Sequence, residues 1–165
     1  NELKNLFTNK IETIIDTDFE ILFPNNYIQS SSERLTLYKK LSEIKNEDEL
    51  EIFKEQLYDR FGFLPKETED LIESVKLKWI GSILNFRKIT LKNNKMLCYF
   101  PDQSENKFFN SKKFISILQL INTINGCKMK EKNIANNKSL YVVFEKINTI
   151  REALENLNRL QLIDN

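Results

Sequence analysis

The sequence predicts an α+β fold, in which a helical N-terminal part of three helices is followed by the order ββαββα, with the helices packed on an antiparallel sheet. Two observations lead to this prediction. Apolar residues recur at helical spacing between residues 31 and 84, and from residue 86 onward they alternate with polar residues. The chain has 165 residues, 41% of them hydrophobic and 30% charged, which suffices for one domain with a buried core.

The first predicted element is a strand. Polar and apolar side chains alternate from Asp18 to Phe23, and Pro24 ends the pattern. We therefore predict an N-terminal extension with a strand over residues 1–23 and a single α+β domain over residues 24–163. Because the chain begins without Met, we expect it to be a piece of a larger protein.

Three helices are predicted next, over about 31–45, 46–61 and 65–84. The first two begin with capping boxes, the second ends at a Gly suited to a left-handed cap, and the third begins at a Pro. These residues are Ser30 with Glu33, Asn46 with Glu49, Gly62 and Pro65. Helical spacing is carried by Leu35, Tyr38, Leu41 and Ile44 in the first helix, and by Leu50, Phe53, Leu57 and Phe61 in the second.

Two hairpins are predicted in the C-terminal half. The alternating pattern turns at Asn93-Asn94 and again near Asn136-Asn137, and Asn tolerates the positive φ that tight turns require. A helix that ends at Gly126 separates the hairpins, and a closing helix over about 148–161 follows the second one.

The composition argues against catalysis by this chain. Histidine is absent, which removes the commonest general base and zinc ligand, and three Gly are too few for a phosphate-binding loop. Cys98 and Cys127 lack C-x-x-C spacing, so we predict small buried side chains in a reduced, cytoplasmic setting. No apolar run approaches the roughly 20 residues that span a membrane. We expect no catalytic residues, cofactor or metal.

Two acidic groups are candidate sites. A cation site needs several oxygens that converge on one point, whereas the carboxylates of residues 47–51 point in different directions around a helix. They favour the positive end of the helix dipole instead. Asp18 and Glu20 share one face of the predicted strand, and no nucleophile accompanies them, so a solvated face is favoured over an acid–base pair.

Charge is unevenly distributed along the chain. Residues 1–80 hold 17 acidic and 11 basic side chains, whereas residues 81–165 hold 7 and 14. The basic half leaves a nucleic-acid-binding module as an alternative function, because lysines neutralise phosphates and aromatic rings stack on bases. The candidates are Lys112, Lys113, Lys128, Lys130, Lys132 and Lys138, with Tyr99, Phe108, Phe109 and Tyr141. Most of these aromatic residues fall at predicted core positions.

The second helix offers a contact surface. With its apolar stripe inward, the opposite side carries Ile52, Gln56 and Asp59, flanked by Glu55 and Arg60. An apolar Ile on an otherwise polar face is typical of a contact surface, although a single exposed Ile is also normal in monomers.

Three motifs lie in order between residues 24 and 65. They are formed by Pro24, Tyr27 and Ile28; by Arg34, Leu35, Leu37, Tyr38, Lys39 and Leu41; and by Leu57, Asp59, Arg60, Phe61, Gly62, Leu64 and Pro65. Together they resemble the C-terminal (TRCF) domain of the bacterial transcription-repair coupling factor (Mfd). The family pattern runs approximately P-x-x-Y-I, R-L-x-L-Y-K-x-L and E-L-x-D-R-F-G-x-L-P.

The resemblance implies a non-catalytic regulatory domain of an ATP-driven DNA translocase, whose motor would lie N-terminal to this chain and be linked through residues 1–23. The parent protein would engage RNA polymerase, UvrA and DNA. This domain would pack on the N-terminal UvrA-binding module of the same chain and mask it, and direct DNA contact by this chain is not expected.

The family's contacts in that autoinhibitory clamp carry over to three positions, Gln56, Asp59 and Arg60. Gln56 departs from the pattern, because the family usually has a carboxylate there. Glu55 stands one residue earlier, about 100° away around a helix.

Overall fold

The computed structural model describes residues 11–102 and 106–161. The chain divides into two compact units, residues 19–76 and residues 1–18 with 77–165. The α+β fold is confirmed. The helices are α1 (Ser31–Glu43), α2 (Glu47–Phe61), α3 (Lys66–Ile83), α4 (Asn106–Phe109), α5 (Lys112–Ile121) and α6 (Ile150–Arg159). The strands are β1 (Ile14–Thr17), β2 (Lys88–Lys92), β3 (Lys95–Tyr99), β4 (Cys127–Ile134) and β5 (Asn137–Glu145).

The first unit contains α1, α2 and the start of α3, and its helix ends follow the predicted signals. The Ser30 Oγ accepts a hydrogen bond from the Glu33 N–H at 3.3 Å, and the Asn46 Oδ1 accepts one from the Glu49 N–H at 2.9 Å. Gly62 ends α2 with a φ of 86°, which lies in the region that favours glycine. Both N-caps and the glycine stop are therefore confirmed. The reciprocal bonds of the capping boxes are absent among the described residues, because the Glu33 carboxylate pairs with Arg60 and the Glu49 carboxylate accepts from the Lys45 N–H. The ψ of Gly62 is −160°, so this cap does not have the predicted left-handed helical conformation.

The predicted strand over residues 18–23 is wrong, because the first strand is β1. The backbone N–H groups of residues 22 and 23 donate hydrogen bonds to residues on helices, and not to a neighbouring strand. The Leu22 N–H donates to the Glu67 carbonyl at 3.2 Å, and the Phe23 N–H donates to the Tyr38 hydroxyl at 2.8 Å. The Phe23 ring is buried beside Phe53, with ring centroids 6.4 Å apart. The segment thus serves the core of the first unit.

The inner face of α1 differs from the predicted stripe at one position. Leu35 is 70% exposed, while Leu37 and Leu41 are buried. The buried set Leu37, Leu41 and Ile44 follows the spacing i, i+4, i+7, which shifts the apolar face of the helix away from Leu35.

The second unit is built on a five-stranded sheet with the order β1-β2-β3-β5-β4. Both hairpins are antiparallel, whereas β1 pairs in parallel with β2 and makes the sheet mixed. The first hairpin turns at Asn93-Asn94, as predicted, with both φ angles positive. The second turns one residue earlier than predicted, since Ile134 pairs with Asn137 and Ala135 takes the positive φ.

One face of this sheet forms the core of the second unit. Its buried side chains are Ile89, Leu91, Met96, Cys98, Cys127, Val142 and Phe144. Phe100, just after β3, packs on Phe114 of α5 with ring centroids 5.4 Å apart. The prediction that both cysteines are buried is confirmed. Burial raises the pKa of the Cys127 thiol to about 12 and raises the pKa of the Cys98 thiol well above its ordinary range.

Candidate functional site

The outer face of α2 presents the five residues that the sequence singled out. Leu50, Phe53 and Leu57 are buried on the opposite side of the helix, which fixes its rotation. Ile52 is therefore 53% exposed. The other four residues, Glu55, Gln56, Asp59 and Arg60, are also exposed.

Arg60 has a partner inside the first unit. Its guanidinium forms an ion pair with the Glu33 carboxylate of α1. The same guanidinium lies over the Phe61 ring, 4.8 Å from the centroid, where a cation is attracted by the ring face. Arg60 is consequently oriented at the end of α2 and is not a freely moving side chain.

Gln56, the position that departs from the family pattern, is also engaged. Its Oε1 accepts a hydrogen bond from the Lys40 Nζ at 2.7 Å. A carboxylate at this position would meet the same ammonium group as an ion pair. The difference between Gln and a carboxylate therefore changes the charge of this surface more than its geometry.

The exposed side chain of Asp59 lines two neighbouring concavities of the first unit. The first concavity, of about 420 Å³, lies between α1 and α2 and has both polar and apolar lining. Its polar lining is Lys40, Gln56, Asp59 and Arg60, and its apolar lining is Leu37, Phe53, Leu57 and Phe61. The other, of about 370 Å³, is lined by Glu51, Lys54, Glu55, Tyr58, Asp59 and Leu64. Within residues 11–102 and 106–161, Asp59 makes no ion pair and no side-chain hydrogen bond. Its carboxylate is available to an incoming cation.

Sequence reasoning missed an aromatic pair at the end of this surface. The rings of Tyr58 and Phe63 meet edge to face with centroids 5.3 Å apart. Phe63 is 85% exposed and Tyr58 is 48% exposed. Tyr58 follows the buried Leu57 by one residue, about 100° around the helix, which could have indicated its exposure. Phe61, predicted to be inward, is half-buried.

The acidic start of α2 serves the helix. Glu47 pairs with Lys76 at 3.3 Å, Glu51 pairs with Lys54 at 3.3 Å, and the Glu49 carboxylate accepts from the Lys45 N–H at 3.0 Å. In the part of the chain that the structure describes, no group of three or more acidic or cysteine side chains could hold a metal ion. Asp18 and Glu20 do not lie on a strand, so the premise of a shared strand face was wrong.

Comparison with known proteins identifies the family. The model of the TRCF domain matches residues 17–111, which is more than half of the chain. The chain belongs to the TRCF domain family. The match includes α1, α2 and α3, and it therefore contains the whole outer face of α2.

Relatives of this TRCF domain carry the name transcription-repair-coupling factor. The protein of Rickettsia conorii is 33% identical over 86 residues, which cover 52% of this chain and 8% of that protein. The protein of Borreliella burgdorferi is 24% identical over 148 residues, which cover 85% of this chain and 13% of that protein. This chain thus spans only a small part of the curated relatives that it matches.

A solved structure, the C-terminal domain of a transcription-repair coupling factor, has the same fold. Its TM-score with this TRCF domain is 0.68 at 20% sequence identity, over 90% of this chain and 89% of that chain. Along the part of the chain that the structure describes, no helix is both long and apolar enough to cross a membrane.

Proposed function

We propose that this TRCF domain is a non-catalytic regulatory domain of a transcription-repair coupling translocase, and that the outer face of α2 makes an autoinhibitory contact with the N-terminal UvrA-binding module of the same protein. The parent protein would be an ATP-dependent DNA translocase that works in the cytoplasm with RNA polymerase, UvrA and DNA. Its relatives carry the name transcription-repair-coupling factor, which supports this assignment.

The observation that carries the proposal is the carboxylate of Asp59, which lies on a fixed helix and has no ionic partner within residues 11–102 and 106–161. Both ends of α2 are capped, and three buried side chains hold its rotation, so Asp59 is presented without the entropy cost of ordering a loop. The exposed Ile52 lies on the same outer face and adds apolar area that a partner would cover.

The charges suit a contact that forms and releases. Ion pairs at a solvent-exposed rim contribute about 0–1 kcal/mol each, so a few of them hold a clamp that substrate engagement can open. Masking requires only a difference of a few kcal/mol between the closed and open forms. Arg60 joins the contact by exchanging Glu33 for a group on the partner.

The test uses the full-length protein. Asp59→Ala with Arg60→Ala removes one acid and one base from the contact, and we expect UvrA to bind this variant more tightly, by up to about thirtyfold, since two rim pairs contribute up to about 2 kcal/mol. The matched control is Lys66→Ala with Asp70→Ala, which removes an exposed ion pair of 3.2 Å from α3 without a net charge change. UvrA binding that is equal in wild-type and Asp59/Arg60 proteins would contradict the proposal.

A further inference from the structure

The sheet of the second unit has a row of aromatic and basic side chains on the face opposite its core. Lys88, Tyr99, Tyr141 and Lys130 lie directly opposite one another on β2, β3, β5 and β4, and we call these four residues the tyrosine row. Directly paired residues point to the same face of a sheet. The neighbours Cys98 and Val142 are buried, so the tyrosines point away from the core.

This placement corrects the expectation that the basic half keeps its aromatic residues in the core. Phe108 and Phe109 do pack with Phe114, with ring centroids 5.4 and 5.1 Å away. Tyr99 and Tyr141 are half-buried on the other face. Successive side chains of a strand point to opposite faces of the sheet, so Tyr99 and Tyr141 lie on the face opposite the buried Cys98 and Val142.

The two tyrosines form a stacking surface with one arginine. Their ring centroids are 5.2 Å apart and their planes differ by 30°. The Arg87 guanidinium lies 5.5 Å from the Tyr99 centroid, and its Nε donates to the Phe100 carbonyl at 3.1 Å, which orients the guanidinium plane. Nucleobases stack on both tyrosine rings and guanidinium planes.

Three lysines continue from this row along the edge strand. Lys128, Lys130 and Lys132 alternate along β4, so they share the face of the tyrosines and follow one another at about 6.6 Å. All three are exposed, and among the described residues none forms an ion pair. Lys88, in contrast, lies 3.7 Å from the Asp16 carboxylate. Unpaired cations at regular spacing along a strand suit the repeating phosphates of an extended polynucleotide.

We propose that the tyrosine row, Arg87 and the β4 lysines bind single-stranded DNA, with bases stacked on Tyr141 and Arg87 and phosphates along β4. A duplex is disfavoured because its base faces are already stacked on one another. DNA is the assigned ligand because rings and cations recognise bases and phosphates, and RNA, which presents the same groups, is an outcome of the test. This surface belongs to the second unit, and the proposal does not depend on the clamp proposed for α2. It replaces the expectation that this chain makes no direct contact with DNA.

The first measurement is fluorescence anisotropy of a labelled oligo(dT) of about 12 nucleotides, titrated with the 165-residue chain. Single-strand binding loses about 0.7 in log K per unit of log salt for each phosphate neutralised. The three β4 lysines therefore predict a slope of about −2. Oligo(U) is expected to bind no more tightly than oligo(dT).

Two pairs of variants distinguish binding at this surface from a general effect of net charge and from loss of the fold. Lys128→Glu, Lys130→Glu and Lys132→Glu together should weaken binding by at least about tenfold, whereas Lys39→Glu, Lys45→Glu and Lys78→Glu, with the same change in net charge, should change it by less than about twofold. Tyr141→Leu should weaken binding by at least about fivefold, and Tyr141→Phe should not, because stacking needs the ring and not the hydroxyl. Circular dichroism checks the fold of each variant.

Several results would overturn the proposal. They are absence of oligo(dT) binding at low salt, equal losses in the two lysine triples, and equal losses in Tyr141→Leu and Tyr141→Phe. Tighter binding of duplex DNA or of oligo(U) would reassign the surface. Displacement of oligo(dT) by polyglutamate of matched charge, at equal concentration, would show a site for acidic protein segments instead.

Discussion

The guanidinium of Arg60 on α2 forms an ion pair with the carboxylate of Glu33 on α1, whereas Asp59, its neighbour in the chain, has no ionic partner among the described residues. The two charges assigned to the proposed clamp are therefore in different states. Asp59 can meet a partner directly. Arg60 must first leave Glu33, and this exchange makes Glu33 a competitor of the partner.

The first prediction concerns this competition. Glu33→Gln removes the charge that holds Arg60, while the Ser30 cap, which receives the backbone N–H of residue 33, is retained. If Arg60 contributes to the clamp, the variant should bind the N-terminal UvrA-binding module up to about fivefold more tightly, because an exposed pair contributes up to about 1 kcal/mol. Isothermal titration calorimetry measures the change, and Glu43→Gln, at the far end of α1, serves as the control. Unchanged or weaker binding would contradict a contribution of Arg60 to the clamp.

The second prediction concerns the departure from the family pattern. Gln56→Glu introduces the carboxylate that the resemblance implies at this position and converts the hydrogen bond from Lys40 into an ion pair. We expect the free energy of unfolding to rise by less than about 1 kcal/mol, because both side chains are exposed. Denaturation in urea compares this variant with Gln56→Glu combined with Lys40→Met. If the free energy of unfolding rose equally when the Lys40 ammonium group is absent, the assigned pairing of position 56 with Lys40 would be contradicted.

The third prediction concerns the end of α2. Gly62 has a φ of 86° and a ψ of −160°, and among the described residues other than its chain neighbours no atom lies within 4 Å of the position that a Cβ would take. This backbone conformation lies outside the left-handed helical region that Asn tolerates and is occupied almost only by glycine. Gly62→Ala and Gly62→Asn should therefore both lower the free energy of unfolding by about 1–3 kcal/mol through backbone conformation alone. Urea denaturation measures the loss, and unchanged stability in Gly62→Ala would contradict this account.

The fourth prediction follows from the buried thiols. Burial raises the pKa of Cys127 from 9.0 to about 12, so above about pH 9 the unfolded chain loses this proton while the folded chain keeps it. The unfolded state then binds fewer protons, and stability falls as the pH rises. We expect this thiol to account for a loss of about 1 kcal/mol between about pH 8 and pH 10.

The matched variant for the fourth prediction is Cys127→Ala. Its absolute stability is lower because an apolar contact is lost, but the slope of stability against pH should be smaller than in the wild type. The measurement is urea denaturation across the pH range. An identical slope in the two proteins would show that Cys127 titrates in the folded state near its ordinary pKa.

Local signals in the sequence predicted much of the fold. Ser30 and Asn46 cap helices because their short polar side chains reach a backbone N–H three residues later, and this pattern is visible in any sequence. The Asn93-Asn94 turn and the Gly62 stop likewise depend on single residues that tolerate a positive φ. The division into an extension over residues 1–23 and one domain over 24–163 remains a prediction.

Features that depend on distant partners were not predictable. Polar and apolar residues alternate from Asp18 to Phe23 as in a strand. However, the backbone N–H groups near the end of this segment donate hydrogen bonds to the Tyr38 hydroxyl and the Glu67 carbonyl. The parallel pairing of β1 with β2 joins residues more than 70 positions apart, for which no local pattern exists. The exposure of Asp59 followed from the helical period, whereas the partner of Arg60 lies on another helix.

The most direct test of the clamp is a titration of this chain with the separate N-terminal UvrA-binding module, in wild-type and Asp59→Ala forms. Isothermal titration calorimetry at moderate salt should show one-to-one binding for the wild type. Asp59→Ala should weaken it by about fivefold or more, since one charge-assisted contact is lost. Asp48→Ala, which removes one carboxylate at the opposite end of α2, should leave the affinity within about twofold of the wild type. Absence of binding by the wild-type chain, or equal affinities of the wild-type and Asp59→Ala chains, would contradict the account.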